Sequence, residues 1–197
     1  MQYNEDDEWR NEPDVDEFIV ARKLLNKRPA EALARLESLA GRGSRMSMVE
    51  IGWAYGLGRR VRYSFKDAEK WLRRAVTEGS ISASFCLAYL YRTTEQFKKA
   101  VNAYKIGAKL DYSSYLYWLG VMCYNGQGCP KDEQLALMFF ERASKLGHGF
   151  ARRNAALLRL RSQSGIIDIV RGALSWISSI FYIMSLALKN ARSHNLK

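Results

Sequence analysis

LGVMCYNGQGCPKDEQLALMFFERA, residues 119–143, decides the fold, because three earlier segments of the chain can be laid over it residue by residue. Setting Leu119 and Gly120 against Ile51 and Gly52 brings Gly58 under Gly126, Val61 under Cys129, Ala68 under Ala136 and Ala75 under Ala143, each pair 68 positions apart. A middle copy begins at Leu87 and Ala88, 36 positions after the first, and continues through Tyr91, Ala100 and Tyr104 with four loop residues fewer. Ala32, Leu36 and Gly43 form an earlier half-copy, 36 positions before Ala68, Leu72 and Gly79. A period of roughly 34 to 40 residues is that of stacked helical hairpins, so the predicted fold class is all-α.

The spacing has a physical reason. In the first helix of each pair, a small residue beside Leu or Ile (Gly52, Ala88, Gly120) lets the partner helix approach closely, and an aromatic four residues after that Leu or Ile (Tyr55, Tyr91) fills the gap behind it. In the second helix Ala68, Trp71, Leu72 and Ala75 fall at i, i+3, i+4 and i+7, one buried stripe. Gly126 and Gly128 mark a turn that needs positive φ, and Gly79 and Gly147 are placed to end their helices.

The pattern resembles the SEL-one-like repeat, a relative of the tetratricopeptide repeat. Leu119, Gly120, Gly126, Gly128, Asp132, Ala136, Phe139, Phe140, Ala143 and Gly147 match its motif; the first copy keeps Gly52, Tyr55, Gly58, Val61, Ala68, Trp71, Ala75 and Gly79 but has Arg60 and Ser64 where the family has Gly and Asp. The resemblance spans roughly residues 45–161. It implies a right-handed superhelical solenoid of antiparallel hairpins that works as a protein interaction scaffold; some bacterial members act in envelope and exopolysaccharide machinery.

Composition adds charge and compartment. The formal net charge is +11, yet residues 1–17 hold eight acids against Arg10 alone, which leaves the remainder near +18. Such a surface favours acidic proteins, anionic lipid or nucleic acid. Cys86, Cys123 and Cys129 are an odd number without paired spacing, and no apolar signal region opens the chain, so a reducing cytosolic compartment is expected. Core packing of Cys86 and Cys123 is the plain reading; a Cys123–Cys129 redox pair and a zinc site are the alternatives, the latter without ligands of recognised spacing.

In chain order, residues 1–13 read as an acidic disordered tail able to fold back on the basic body. Residues 14–44 read as an N-terminal capping hairpin, its first helix starting at Asp14 and Glu17 and its second at Pro29. The repeats follow over 45–80, 81–112 and 113–148, with a half-repeat over 149–162. After a break at 162–165 comes a hydrophobic helix over 166–188 and a basic tail over 189–197. From Gly172 to Leu188 no charge occurs, about 25 Å of helix, slightly short of a bilayer's hydrocarbon core. Ile167, Val170, Leu174, Ile177, Phe181, Met184 and Leu188 form an apolar seam, while Ser175, Ser178, Tyr182 and Ser185 line the other side with hydroxyls that can bond the preceding turn. Leu174, Trp176, Ile177, Ile180, Phe181, Ile183, Met184 and Leu188 are the residues expected to meet a membrane, in a single-pass anchor that keeps the repeats on the cytoplasmic side. A helix lying in the interface, or packed on the solenoid of a soluble cytoplasmic protein, is the alternative.

Resemblance to tetratricopeptide domains implies that the first helices line a concave face. It selects Val49, Trp53, Phe85, Tyr89, Arg92, Tyr117, Tyr124, Asn125 and Arg153 as partner-binding residues. Trp, Tyr and Arg are common interface anchors, so a protein or peptide ligand is expected. Two basic runs, one around Arg59 to Arg74 and one from Arg142 to Arg161, read as solvated faces, the second with a possible anionic-leaflet contact. No recognition module accompanies them, so a nucleic-acid-binding solenoid is the least favoured reading. No nucleophile, P-loop or metal-protease pattern occurs, so no enzyme activity, cofactor or small-molecule substrate is expected. A membrane-attached adaptor results; the rival is a soluble regulator whose C-terminal helix occupies its own groove.

Overall fold

The computed structural model describes the backbone of residues 12–58, 60–161 and 165–194, and their side chains except over 165–169 and 189–194. The tail over 1–11, the break at 162–164 and residues 195–197 lie outside the described residues. Ten α-helices and no strand occur among those described: α1 (Val15–Leu24), α2 (Pro29–Gly41), α3 (Arg45–Leu57), α4 (Phe65–Thr77), α5 (Ile81–Thr93), α6 (Phe97–Ala108), α7 (Ser113–Asn125), α8 (Glu133–Lys145), α9 (Gly149–Arg161) and α10 (Gly165–His194). They form two compact units, residues 1–110 and 111–197.

Helix starts are set by short polar side chains that satisfy otherwise orphaned amides. Ser44, Ser64, Ser80 and Asp132 accept from the amides of Ser47, Asp67, Ala83 and Leu135. Asp14 precedes α1 as expected but adopts a left-handed φ of 55° and makes no cap; its carboxylate lies 3.2 Å from Arg42 instead. Glu12, assigned by composition to the acidic tail, is only 7% exposed. The start of α3 holds it there: the Ser44 hydroxyl donates to Oε1, and the Met46 amide donates to Oε2 at 3.3 Å.

Within the first unit, α1–α2, α3–α4 and α5–α6 are antiparallel hairpins stacked in sequence order. The family small residues sit where helices touch. A Cβ on Gly52 would lie 2.6 Å from Leu72 Cγ, and in the second unit a Cβ on Gly120 would lie 2.7 Å from Phe140 Cδ1. Leu72 and Phe140 are themselves 68 positions apart, so the two copies repeat one packing solution. The turns match less well. Gly128 takes a φ of 76°, and Arg60, its counterpart, holds 64° without glycine's freedom. Roughly 1 kcal/mol is the usual cost of a left-handed side-chain-bearing residue.

The second unit stacks α7–α8 on α9–α10. The last hairpin is antiparallel: a Cβ on Gly172 would lie 3.0 Å from Leu160 Cγ, while the Tyr182 hydroxyl donates to the Gly147 carbonyl at 3.1 Å.

Candidate functional site

Two surfaces carry unusual side chains, one in each unit. In the first unit, α3 and α5 bring Trp53 and Tyr89 together with ring centroids 5.2 Å apart, and the Arg92 guanidinium lies 5.2 Å above the Tyr89 ring. Phe85 meets Tyr104 edge to face at 5.7 Å. Burial pushes the Tyr104 phenol up to about 12, with the Arg92 guanidinium pulling the other way. Tyr104 is core, whereas Trp53, Phe85, Tyr89 and Arg92 are all half-buried. Val49 is half-buried too, but packs on the unit's hydrophobic core.

Trp53 also borders a cleft of about 470 Å³ between α1 and α3, with Ile19, Leu25, Ala54 and Leu57 as its apolar lining and Arg22, Lys23, Asn26, Glu50 and Arg60 as its polar lining. Burial raises the Glu50 carboxyl, and Arg22 at 3.3 Å partly offsets this. Sequence reasoning missed the α1 contribution. The capping hairpin has lost the repeat landmarks, so no register points its residues at the inner wall.

In the second unit Tyr117 stacks on His148 at 4.5 Å and 16°, with Phe140 and Phe150 at 5.8 and 6.5 Å. Tyr124 accepts from Arg161 at 2.8 Å. Asn125 and Arg153 are exposed, Arg153 lying 5.7 Å from the Phe150 ring. The nine expected contact residues thus divide between the two units, and none of them is fully buried.

His148 is a missed residue. Its Nδ1 accepts from the Ala151 amide at 3.2 Å, which caps α9. Burial holds its pKa below 6.5. A lowered folded value means that the unfolded chain takes up the proton first. The His148 contribution is therefore complete above about 6.5 and is lost as pH falls below that toward the folded value. Stability of the second unit is expected to drop between pH 7 and pH 5 more steeply than in His148→Asn, whose side chain still caps; superimposable pH profiles by circular dichroism would contradict this.

The second surface is α10. Gly172 is buried and Ser179 is 0% exposed, and with Ser175 and Tyr182 they face α9. Arg152 lies 4.9 Å from the Tyr182 ring. Outward stand Val170, Leu174 (63% exposed), Ile177, Phe181 (68%), Met184 and Leu188. Trp176 and Ile180 are exposed as well, while Ile183 packs toward Gly149. Ser178 and Ser185 point away from α9, so the contact line runs through Gly172, Ser175, Ser179 and Tyr182. Hydroxyls of Ser178, Ser179 and Ser185 donate to carbonyls three residues back, at 3.0, 2.7 and 2.7 Å. The outward face is thus mostly large apolar side chains, with Ser178 and Ser185 among them, the reverse of a helix that turns charge to water. Val170–Leu188 is long and apolar enough to cross a membrane, about 28 Å of helix.

Part of each basic run is tied down. Arg73 pairs with Glu69, which also accepts from the Tyr91 hydroxyl, while Arg74 donates to the Ala40 carbonyl. Arg142 pairs with Asp111, and Arg159 forks onto Glu141. Cys123 and Cys129 are free thiols with sulfurs 3.5 Å apart. Among the described residues no group of His, Cys, Asp and Glu is arranged to hold a metal.

The Sel1 repeat model matches residues 45–80 and 113–148, the first and third copies. Among solved structures, the chain is similar to a Sel1 repeat protein from Oxalobacter formigenes (TM-score 0.69, 19% identity, 83% of this chain and 71% of that one). It is also similar to c5321, a protective antigen of uropathogenic Escherichia coli with an SLR fold (TM-score 0.64, 18% identity, 76% of this chain). This chain spans 33% of that antigen's length. MamA from Desulfovibrio magneticus is a third (TM-score 0.57, 17% identity, 86% and 94%).

Proposed function

We propose that this chain, a helical solenoid carrying Sel1 repeats, is a non-catalytic adaptor held at a membrane by α10, with a protein or peptide ligand on its first helices. Sel1 repeats are generally protein-interaction scaffolds, which supports the coarse part. The observation that carries the membrane part is the apolar outward face of α10. An apolar seam turned outward costs hydrophobic free energy in water, about 25 cal/mol per Å² left exposed, and that cost disappears in hydrocarbon. The seam's hydroxyl neighbours are already bonded within the helix and carry little penalty into lipid. On this reading α10 leaves α9 when it inserts, exchanging the Gly172–Leu160 and Tyr182–Gly147 contacts for lipid, and the repeats lie on the cytoplasmic side of a single-pass anchor. The rival reading, a soluble regulator that plugs its own groove, needs the seam covered, and Leu174 and Phe181 are open.

For the ligand, Trp53, Tyr89 and Arg92 form a half-buried ladder of the residue types that dominate interface energies. Trp53→Ala with Tyr89→Ala is expected to weaken capture of a native partner at least about 30-fold, the equivalent of about 2 kcal/mol. Affinity purification from native membranes, quantified by mass against the parent chain, is the measurement. Undiminished capture by a folded variant would move the ligand surface elsewhere.

A further inference from the structure

Cys123 and Cys129 depart from the repeat in one copy, and at two positions that touch. A register of 68 positions sets them over Tyr55 and Val61, the residues that match the family motif in the first copy. The backbone around the two positions is the same in both copies. The Tyr55 carbonyl accepts from the Gly58 and Ser64 amides at 3.4 and 3.2 Å, and the Cys123 carbonyl accepts from the Gly126 and Asp132 amides at 3.3 and 3.0 Å. Ordinary side chains therefore build this loop in the first copy, so its fold alone does not call for sulfur in the third.

The third-copy loop brings the two sulfurs together. Gly126 and Gly128, at φ of 68° and 76°, turn the chain back, and Cys129 Sγ returns to 3.5 Å from Cys123 Sγ. A disulfide is about 2.05 Å long, so bonding needs the sulfurs only about 1.5 Å closer. Their exposures differ: Cys123, near the end of α7, is 4% exposed, whereas Cys129 is half-buried on the loop. That division supplies an attacking thiol that solvent reaches and a resolving thiol behind it.

We infer that Cys123 and Cys129 are a dithiol–disulfide redox site, oxidised by a low-molecular-weight disulfide of the glutathione class, and that closing the bond fastens the α7–α8 loop carrying Tyr124 and Asn125. The Cys129 thiolate attacks one sulfur of the oxidant, forming a mixed disulfide and expelling one thiolate. The Cys123 thiolate then attacks the Cys129 sulfur, closing the protein bond and expelling the second. The two protons lost by the cysteines end on the two departing thiolates, so two protein thiols are oxidised while one small disulfide is reduced. The new bond runs beside the existing backbone links from Cys123 to Gly126 and Asp132, and it holds a loop that is already closed. In a reducing compartment such a bond is transient and sensing rather than structural. Its consequence for a ligand rests on the proposed ligand surface, through Tyr124 and Asn125.

The test uses the full chain in detergent micelles, equilibrated in glutathione buffers of rising oxidised fraction, quenched with N-ethylmaleimide and mapped by peptide mass. The peptide holding both cysteines is expected to lose two alkylation sites and two hydrogens together, with Cys86 still alkylated. The native chain should close the bond with an effective concentration at least about tenfold above that of the chain in urea, and by linkage the oxidised form should unfold at higher urea. Cys129→Val, which restores the residue type of Val61, should keep the fold and abolish the loss of thiols. A bridge to Cys86, a bridge between two copies, glutathione adducts that never close, or a bond no more favoured in the native chain than in urea would each overturn the inference. If the bond forms and oxidised and reduced chains capture partner equally, the redox site stands and Tyr124 and Asn125 leave the ligand surface. If capture falls with Trp53→Ala and Tyr89→Ala but no bond forms, the ligand surface stands and the redox site is removed.

Discussion

With Ile177→Lys and Phe181→Lys together, partition into liposomes of phosphatidylcholine and phosphatidylglycerol is expected to fall by at least about a thousandfold. Both side chains stand outward on α10, near the middle of the apolar window. A lysine near the centre of a spanning helix costs about 2.5 to 3.5 kcal/mol, so two cost about 5 or more, and each 1.4 kcal/mol is a factor of ten. The same changes put charge where water already reaches, so the helical signal in solution should be kept or improved. Co-flotation separates the outcomes: a variant that floats like the parent argues against insertion, and one that unfolds argues that the seam is buried.

The second large effect is on stability. Phe140→Ala is expected to cost about 3 to 5 kcal/mol, because the ring is 2% exposed and covers Gly120 directly. Gly120→Ala alone gains about 1 kcal/mol of helix propensity but drives a methyl to 2.7 Å from that ring, and overpacking costs about 1 to 3. In the Phe140→Ala background the ring is gone, so Gly120→Ala should become stabilising. Urea unfolding of the four proteins gives the coupling. Strict additivity would show that Gly120 and Phe140 do not share one contact. Gly52 and Leu72 should couple in the same sense in the first unit, but a Cβ on Gly52 also comes 3.3 Å from the Ala68 carbonyl, so Leu72→Ala relieves only part of the clash.

That pair also shows why the fold was legible. A register of 68 positions maps Gly52 to Gly120 and Leu72 to Phe140, and the small-against-large contact follows from helix spacing alone. The caps at Ser44, Ser64 and Ser80 are equally local but were not read from the sequence, where Ser64 stood only as a departure from the repeat's Asp. The C-terminal helix was half readable. Its apolar seam follows from a period of 3.6, but which side meets α9 is a tertiary choice, and it runs through Gly172 and Ser179 rather than Ser178 and Ser185. Glu12 shows the limit of charge counting, since the Met46 amide and the Ser44 hydroxyl at a helix start hold a carboxylate out of water. Arg22 and Ile19 reach the cleft from a hairpin whose repeat landmarks have been lost, so no pattern announced them.

Alkaline-carbonate extraction of membranes holding the intact chain tests the central claim most directly. The account predicts that the chain stays in the membrane pellet with α10 inserted; recovery of the intact chain as a folded monomer in the supernatant, or before extraction in the soluble fraction, would contradict it.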